Sequence, residues 1–439
     1  MSILLNRKLS FCILLSCIFL FRVLYGLSSE FWSVDEIQVY LLGLKYYSTN
    51  LWPYYGSDVV YTNSQISGAL QALLVGLPLK LFSEPESPII FLNIISFLAL
   101  YYFGWYIKKR VPSIPFWFIL CWLMLCPWTL WFGTRVINPS YVLPFSILFF
   151  IGFFETGGFF KQSLIKPTKA FFYMGVALTA IMQIHLSWVL LLPFMMYSFF
   201  QVLKTNNKKL LYTGFSCFMG CILGTIPLLP TLFLNGFKLT SGHESAIIFN
   251  IDNLKNIGII LTRYLSFASF EVPYMIGGNT NARLQLVQDN IWMAPSTIIV
   301  LIIGLAQVAL FIKYFFKKNV EIEGWSKVKN TVLISWLFIY VAFFFSIKGP
   351  SSHTFYICLP VVFLYSFYCY SSLFAKPFWK RAFLPLFLLN GVIFHLGLIN
   401  NNFHHHSLYK NRDKVVKAIK EKDYKSLGIR RAEAWGYGY

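Results

Sequence analysis

Two adjacent carboxylates, Asp35 and Glu36, follow the first apolar stretch of the chain, within Phe31-Trp32-Ser33-Val34-Asp35-Glu36. Acids at the mouth of a membrane span are costly unless they contact a substrate, an ion or a partner. A carboxylate beside an acceptor hydroxyl can take its proton. The same residues would also start a helix, with Ser33 or Asp35 as the cap and Glu36 favouring the dipole. Arg135 stands in Gly133-Thr134-Arg135-Val136-Ile137-Asn138-Pro139, just before a proline suited to opening a helix. Its planar fork matches a phosphate, although an arginine at a span end also snorkels to the interface. Gln183 and His185, in Met182-Gln183-Ile184-His185-Leu186-Ser187, mark a corner that either lines a cavity or is held by hydrogen bonds. The turn 347–356 combines Lys348, His353 and Tyr356, as interface anchors or as phosphate ligands. His243 and Glu244 read as solvated, and the His404-His405-His406 run lacks preorganised ligand geometry, so no metal site is expected.

The elements that must position these groups are membrane helices. Of 439 residues, 57% are hydrophobic and only 12% charged, with a mean hydropathy of +0.61. A soluble domain carries about a quarter charged residues, so this composition excludes that class. The net charge of +20 does not indicate nucleic acid, because Lys and Arg gather at span ends. All eight cysteines fall in apolar segments, which predicts no disulfide and no thiolate metal site. The absence of an Asn-x-Ser/Thr sequon with x other than proline fits a bacterial protein. The first segment has no small-x-small cleavage site and is interrupted by Arg22, so it reads as a retained anchor.

Hydropathy predicts an all-α polytopic protein of about 11 transmembrane helices, near 11–28, 87–107, 114–133, 137–154, 169–184, 186–203, 210–233, 291–316, 330–347, 353–371 and 382–399. The stretch 66–82 is apolar but short, and reads as either an interfacial helix or a further span. Treating it as non-spanning, with a cytoplasmic N-terminus, puts Lys108–Arg110, Lys161–Lys169, Lys204–Lys209, Lys317–Lys329 and Lys376–Arg381 inside. Counting it as a span puts all of them outside. The preferred topology therefore exports 29–86, the Arg135 turn, the His185 corner, 234–290, the Lys348–His353 turn and the tail. The division is a transmembrane domain, 1–400, with exported loops 29–86 and 234–290, followed by a short basic exported tail, 401–439. The first loop is predicted to carry an interfacial helix over Glu36–Thr49 and then a turn-rich segment, Leu51–Gly56. The tail has nine Lys/Arg against four Asp/Glu from Ser407 on, and predicts a helix over 411–422 lying on anionic headgroups.

This layout resembles the GT-C membrane glycosyltransferases, the superfamily of protein O-mannosyltransferases and bacterial aminoarabinose transferase. The acidic pair after the first span, the stretch Leu51–Phe82, Arg135 before Asn138-Pro139, and the late His353, Tyr356 and Pro360 carry the resemblance, together with Gln183–Ser187. It covers about residues 1–400. The chain departs where many members have Glu-Lys-Pro-Pro, reading Thr62-Asn63-Ser64-Gln65-Ile66 instead, and it has no large domain after the last span.

The resemblance implies a polyprenyl-phosphate-linked sugar as donor, used on the outer face of a bacterial inner membrane. Asp35 would be the general base, in an inverting displacement, and Glu36 would orient Asp35 or the acceptor. Arg135, Lys348, His353 and Tyr356 would hold the donor phosphate, with Gln183 and His185 facing the acceptor or lining the cavity. Relatives differ in metal use; none is expected here, although a divalent ion is compatible. The acceptor, whether lipid, glycan or protein, is open. The rival readings are a flippase of lipid-linked sugars, a surface-polysaccharide ligase or polymerase, and a non-catalytic assembly protein.

Overall fold

A computed structural model describes residues 2–29, 34–59, 64–205, 207–235, 249–266, 275–276, 279–317, 322–346, 356–378, 384–405 and 412–427. The backbone of so apolar a chain must satisfy its own hydrogen bonds in lipid, and helices do this within one segment. The helices are α1 (Ser2–Ser29), α2 (Val34–Thr49), α3 (Leu70–Leu81), α4 (Ser87–Arg110), α5 (Phe116–Leu125), α6 (Pro127–Trp131), α7 (Asn138–Thr156), α8 (Pro167–Met182) and α9 (Leu192–Thr205). They continue as α10 (Asn207–Thr225), α11 (Leu229–Asn235), α12 (Ile257–Leu265), α13 (Thr280–Asp289), α14 (Ala294–Phe315), α15 (Trp325–Phe343), α16 (Leu359–Phe374), α17 (Leu384–His405) and α18 (Arg412–Glu421).

Among the described residues, seven helical stretches are long and apolar enough to cross a membrane: Lys8–Ser28, Ser87–Arg110, Asn138–Thr156, Leu186–Lys204, Leu210–Leu234, Ile291–Phe315 and Tyr356–Phe374. The chain is an all-α integral membrane protein. The other segments read as spans are helical but shorter or more polar. The stretch 114–133 breaks at Cys126-Pro127, where Cys126 takes an extended backbone, separating α5 from α6. A residue before proline is pushed out of the helical region, which accounts for the break. At 12 residues, about 18 Å, α3 is too short to cross.

Two features of the first connecting segment and the tail differ from the sequence reading. First, the stretch after α2 is not merely a turn-rich loop running into an apolar helix. It forms an antiparallel hairpin, β1 (Tyr55–Val59) with β2 (Ser64–Ser67), in which Asp58 lies opposite Gln65. Second, α18 does not present its apolar face to lipid. Val415, Ala418 and Ile419 are buried, and Arg412 pairs with Glu86 at 2.7 Å and Glu84 at 3.2 Å, just ahead of α4. Acidic residues of the first loop compete here with anionic lipid, and they are preorganised. All eight cysteines are free, and six of them are buried or half-buried.

Helix lengths separate two polar clusters. At about 1.5 Å per residue, α4 spans ~36 Å and α7 ~28 Å. At one end Arg110 pairs with buried Glu155, which also accepts from Tyr106 at 2.7 Å and from the Leu164 amide at 2.6 Å. Lys161 and Glu323 join there through a backbone amide. At the other end lie α2, the hairpin, α3 and the corner before α7. The candidate functional residues gather at this second end.

Candidate functional site

The centre of that end is a buried ion pair. Glu36 lies in the first turn of α2 and is fully buried, while Arg135 is 7% exposed. Arg135 donates through Nε at 2.6 Å and Nη2 at 2.5 Å to the same Glu36 oxygen, Oε1. Its guanidinium also sits 4.7 Å from the centre of the Trp131 ring. The corner holding Arg135 is built locally. Thr134 Oγ1 donates to the Leu130 carbonyl at 2.6 Å, closing the end of α6. Ile137 donates to the Arg135 carbonyl at 2.9 Å, and Asn138-Pro139 then opens α7. Proline suits a first helical turn because its missing N–H has no partner there anyway. Asp35 is the second residue of α2; its side chain lies outside the described residues.

One layer below is a residue that the sequence reading noted only as an interruption. Arg22 of α1 is fully buried and donates to the carbonyls of Met124 at 2.6 Å, Thr129 at 3.2 Å and Gly133 at 3.4 Å. These carbonyls border the Cys126-Pro127 break, where helical partners are missing. Its functional signal was available, since a cation inside an otherwise apolar span demands acceptors in the bundle. One turn above, α1 passes so close to the corner that a Cβ on Gly26 would lie 2.7 Å from the Thr134 carbonyl. Arg22 thus fastens α1 to the corner that carries Arg135.

Tyr356 joins this layer. Its ring is buried edge-on to Trp128 and Phe132, at 6.3 and 5.9 Å between centroids. Its hydroxyl faces Gly133 beside Arg22: a Cβ on Gly133 would lie 3.0 Å from Tyr356 Oη and 3.2 Å from Arg22 Nη2. Lys348 and His353, as well as His243 and Glu244, lie outside the described residues, as do the side chains of His404-His405-His406.

Gln183 and His185 divide the work at the end of α8. Gln183 is fully buried and donates to Thr179 at 3.1 Å and to Gly224 of α10 at 2.7 Å. Its side chain abuts Gly68, where φ is +123° and a Cβ would stand 2.6 Å from Gln183 Cγ. Only glycine meets both demands. His185 caps the 3-10 turn Leu186–Leu191, its Nδ1 accepting from the Ser187 amide at 3.1 Å. Burial pushes its pKa down to about 4, so it stands as a neutral ring.

The hairpin is tied to the same place. Thr231 donates to the Tyr54 carbonyl at 2.6 Å and Ala69 to the Pro227 carbonyl at 3.3 Å. Comparison with family models, characterised proteins and solved structures finds no match. The site is therefore read from its own chemistry. Glu36 and Arg135 come into contact, Tyr356 lies beneath their corner with Arg22, and Gln183 and His185 stand under the hairpin. Alongside the Cys126-Pro127 break, a small cleft of about 40 Å³ lies between α5, α14 and α17, with Leu125, Val300, Ile303 and Leu388 among its walls.

Proposed function

We propose that this chain is a membrane glycosyltransferase of the GT-C type, with about 11 spans, moving a sugar from a polyprenyl-phosphate donor to an acceptor hydroxyl at the outer face of a bacterial inner membrane. The observation that carries the reading is the desolvated Glu36–Arg135 pair one residue from Asp35, at the same end of the bundle as Gln183 and Tyr356. A buried pair is a poor stabiliser compared with apolar packing, so its presence at a converging cluster of loops points to chemistry.

In this reading Asp35 takes the acceptor hydroxyl proton while that oxygen attacks the anomeric carbon. The bond from that carbon to the phosphate oxygen breaks, its electron pair stays on the phosphate, and the configuration inverts. Glu36 holds the Arg135 fork in place, and Arg135, Lys348, His353 and Tyr356 stabilise the charge growing on the leaving phosphate. Gln183 and His185 face the acceptor or line the cavity. The chemistry calls on no cofactor.

The test is transfer of labelled sugar from membrane polyprenyl phosphate, with Asp35→Asn compared to the parent at matched folding and expression. A loss of about 100-fold or more is expected for removal of a general base. Full activity in Asp35→Asn would reduce the acidic pair to a helix start. No transfer by the parent with any donor would favour a flippase.

A further inference from the structure

We infer that the hairpin and the first turn of α3 form a hydroxyl-reading pocket for the sugar, with Gln71 as its principal ligand. This rests on the glycosyltransferase reading and extends it to a residue outside the acidic pair and the basic groups.

Gln71 is fully buried, and neither its Nε2 nor its Oε1 has a hydrogen-bond partner among the described residues. Gln183 Oε1, also fully buried, is likewise unpartnered there. Buried amides are nearly always satisfied, so the wholly unpartnered Gln71 amide and the unpartnered Gln183 oxygen together suit a visitor that supplies donors and acceptors. They are in one place. A Cβ on Gly56 would lie 3.4 Å from the Gln183 carbonyl and 3.7 Å from Gln71 Cβ. Gln183 Oε1 lies 2.7 Å from the Cβ position of Gly68, one turn before Gln71. Gln65 turns its amide onto the Gly56 carbonyl at 3.3 Å and so closes the hairpin side.

The groups around Gly56 are amides and carbonyls, joined by the buried carboxylate of Asp58 opposite Gln65. A primary amide offers a donor and an acceptor side by side, matching a pair of neighbouring hydroxyls. The locus also adjoins the ion pair. Helices α2 and α3 pack together, with Gly43 against Val75 and Gly76, and Tyr46 against Gly76 and Lys80. Glu36 lies on that same helix α2, two turns before Gly43. A sugar with its anomeric carbon near Asp35 and Arg135 would turn its hydroxyls toward Gln71.

The deciding variant is Gln71→Leu, of nearly the same shape but without polar atoms. A purely structural Gln71 predicts equal or higher thermal stability and unchanged activity, because an unsatisfied amide is removed. A ligand-reading Gln71 predicts equal or higher stability together with weaker sugar binding. The probes are undecaprenyl phosphate bearing glucose, mannose or aminoarabinose, with bare undecaprenyl phosphate as control, added to purified protein while the melting shift is followed. In the parent, at least one sugar-bearing lipid should shift the transition more than bare lipid, and Gln71→Leu should weaken that sugar-dependent binding roughly tenfold or more. The lipid-only shift should persist. Identical shifts with and without sugar, no shift with any probe, or an unchanged sugar-dependent shift in Gln71→Leu would overturn the pocket. Sugar-dependent binding without transfer would leave the pocket standing and sink the transferase. Transfer unaffected by Gln71→Leu would do the reverse.

Discussion

Removing either half of the Glu36–Arg135 pair should destabilise the protein far more than removing both. The nitrogens stand 2.5–2.6 Å from Oε1, so the charge centres are about 4 Å apart, and at an effective dielectric near 20 their attraction is about 4 kcal/mol. Glu36→Met leaves Arg135 as a buried cation stripped of this carboxylate, and Arg135→Met leaves Glu36 as a buried anion, each expected to lose about 3–5 kcal/mol. The double variant Glu36→Met with Arg135→Met replaces the pair by apolar groups that need no counter-charge. It should lie within about 1–2 kcal/mol of the parent, giving a coupling of several kcal/mol. The assay is reversible unfolding in mixed micelles by added denaturing detergent, read for all four proteins under one condition. Losses that simply add in the double variant would show that the two charges are stabilised separately, and the argument for a coupled pair would fail. Transfer should be abolished in all three variants, which separates stability from chemistry.

Three further outcomes are expected. Arg22→Lys keeps the charge but replaces a fork with a point, and cannot reach three carbonyls spread over Met124–Gly133; a loss of about 2 kcal/mol in the same unfolding assay is expected. Arg412→Ala removes half-exposed pairs worth under about 1 kcal/mol, so limited proteolysis should release the tail faster while the melting of the membrane bundle hardly moves. His185, held well below its usual pKa, binds fewer protons folded than unfolded between about pH 6.5 and 4; stability should be intact above that window and fall through it on acidification, and His185→Phe should flatten that slope.

The legible part of this protein was its apolar grammar and the residues that break it. Span lengths and the Asp35-Glu36 and Arg135 corners were visible because charge is scarce in such a sequence, so each charged residue near a span stands out. The helix of the first loop was readable too, and the structure begins it at Val34, but Gln38, Val39 and Leu42 are buried along with Tyr40, Leu41 and Leu44, so it packs into the bundle rather than lying amphipathic on an interface. What sequence could not supply was pairing. Nothing local to Glu36 names Arg135 as its partner 99 residues on, and both were assigned separate tasks. The hairpin was missed because its strands, Tyr55–Val59 and Ser64–Ser67, are short and compete poorly with a strong hydropathy signal. Gln71 was invisible for a different reason. A single amide inside an apolar stretch looks ordinary until its lack of partners is seen.

The long separations between partners also set an order of assembly. At about 5–20 residues per second, Glu36 is synthesised some 5–20 s before Arg135, and for that interval it must stay at the water interface. Helix α2 therefore docks only once α7 begins to enter the bilayer, and Arg22 waits similarly for Met124–Gly133 to supply its acceptors. The bond from Arg412 to Glu86 bridges 326 residues and is the last to form. The end of the bundle that holds the Glu36–Arg135 pair is thus completed from the inside outward, with Arg412 joining it after the spans are made.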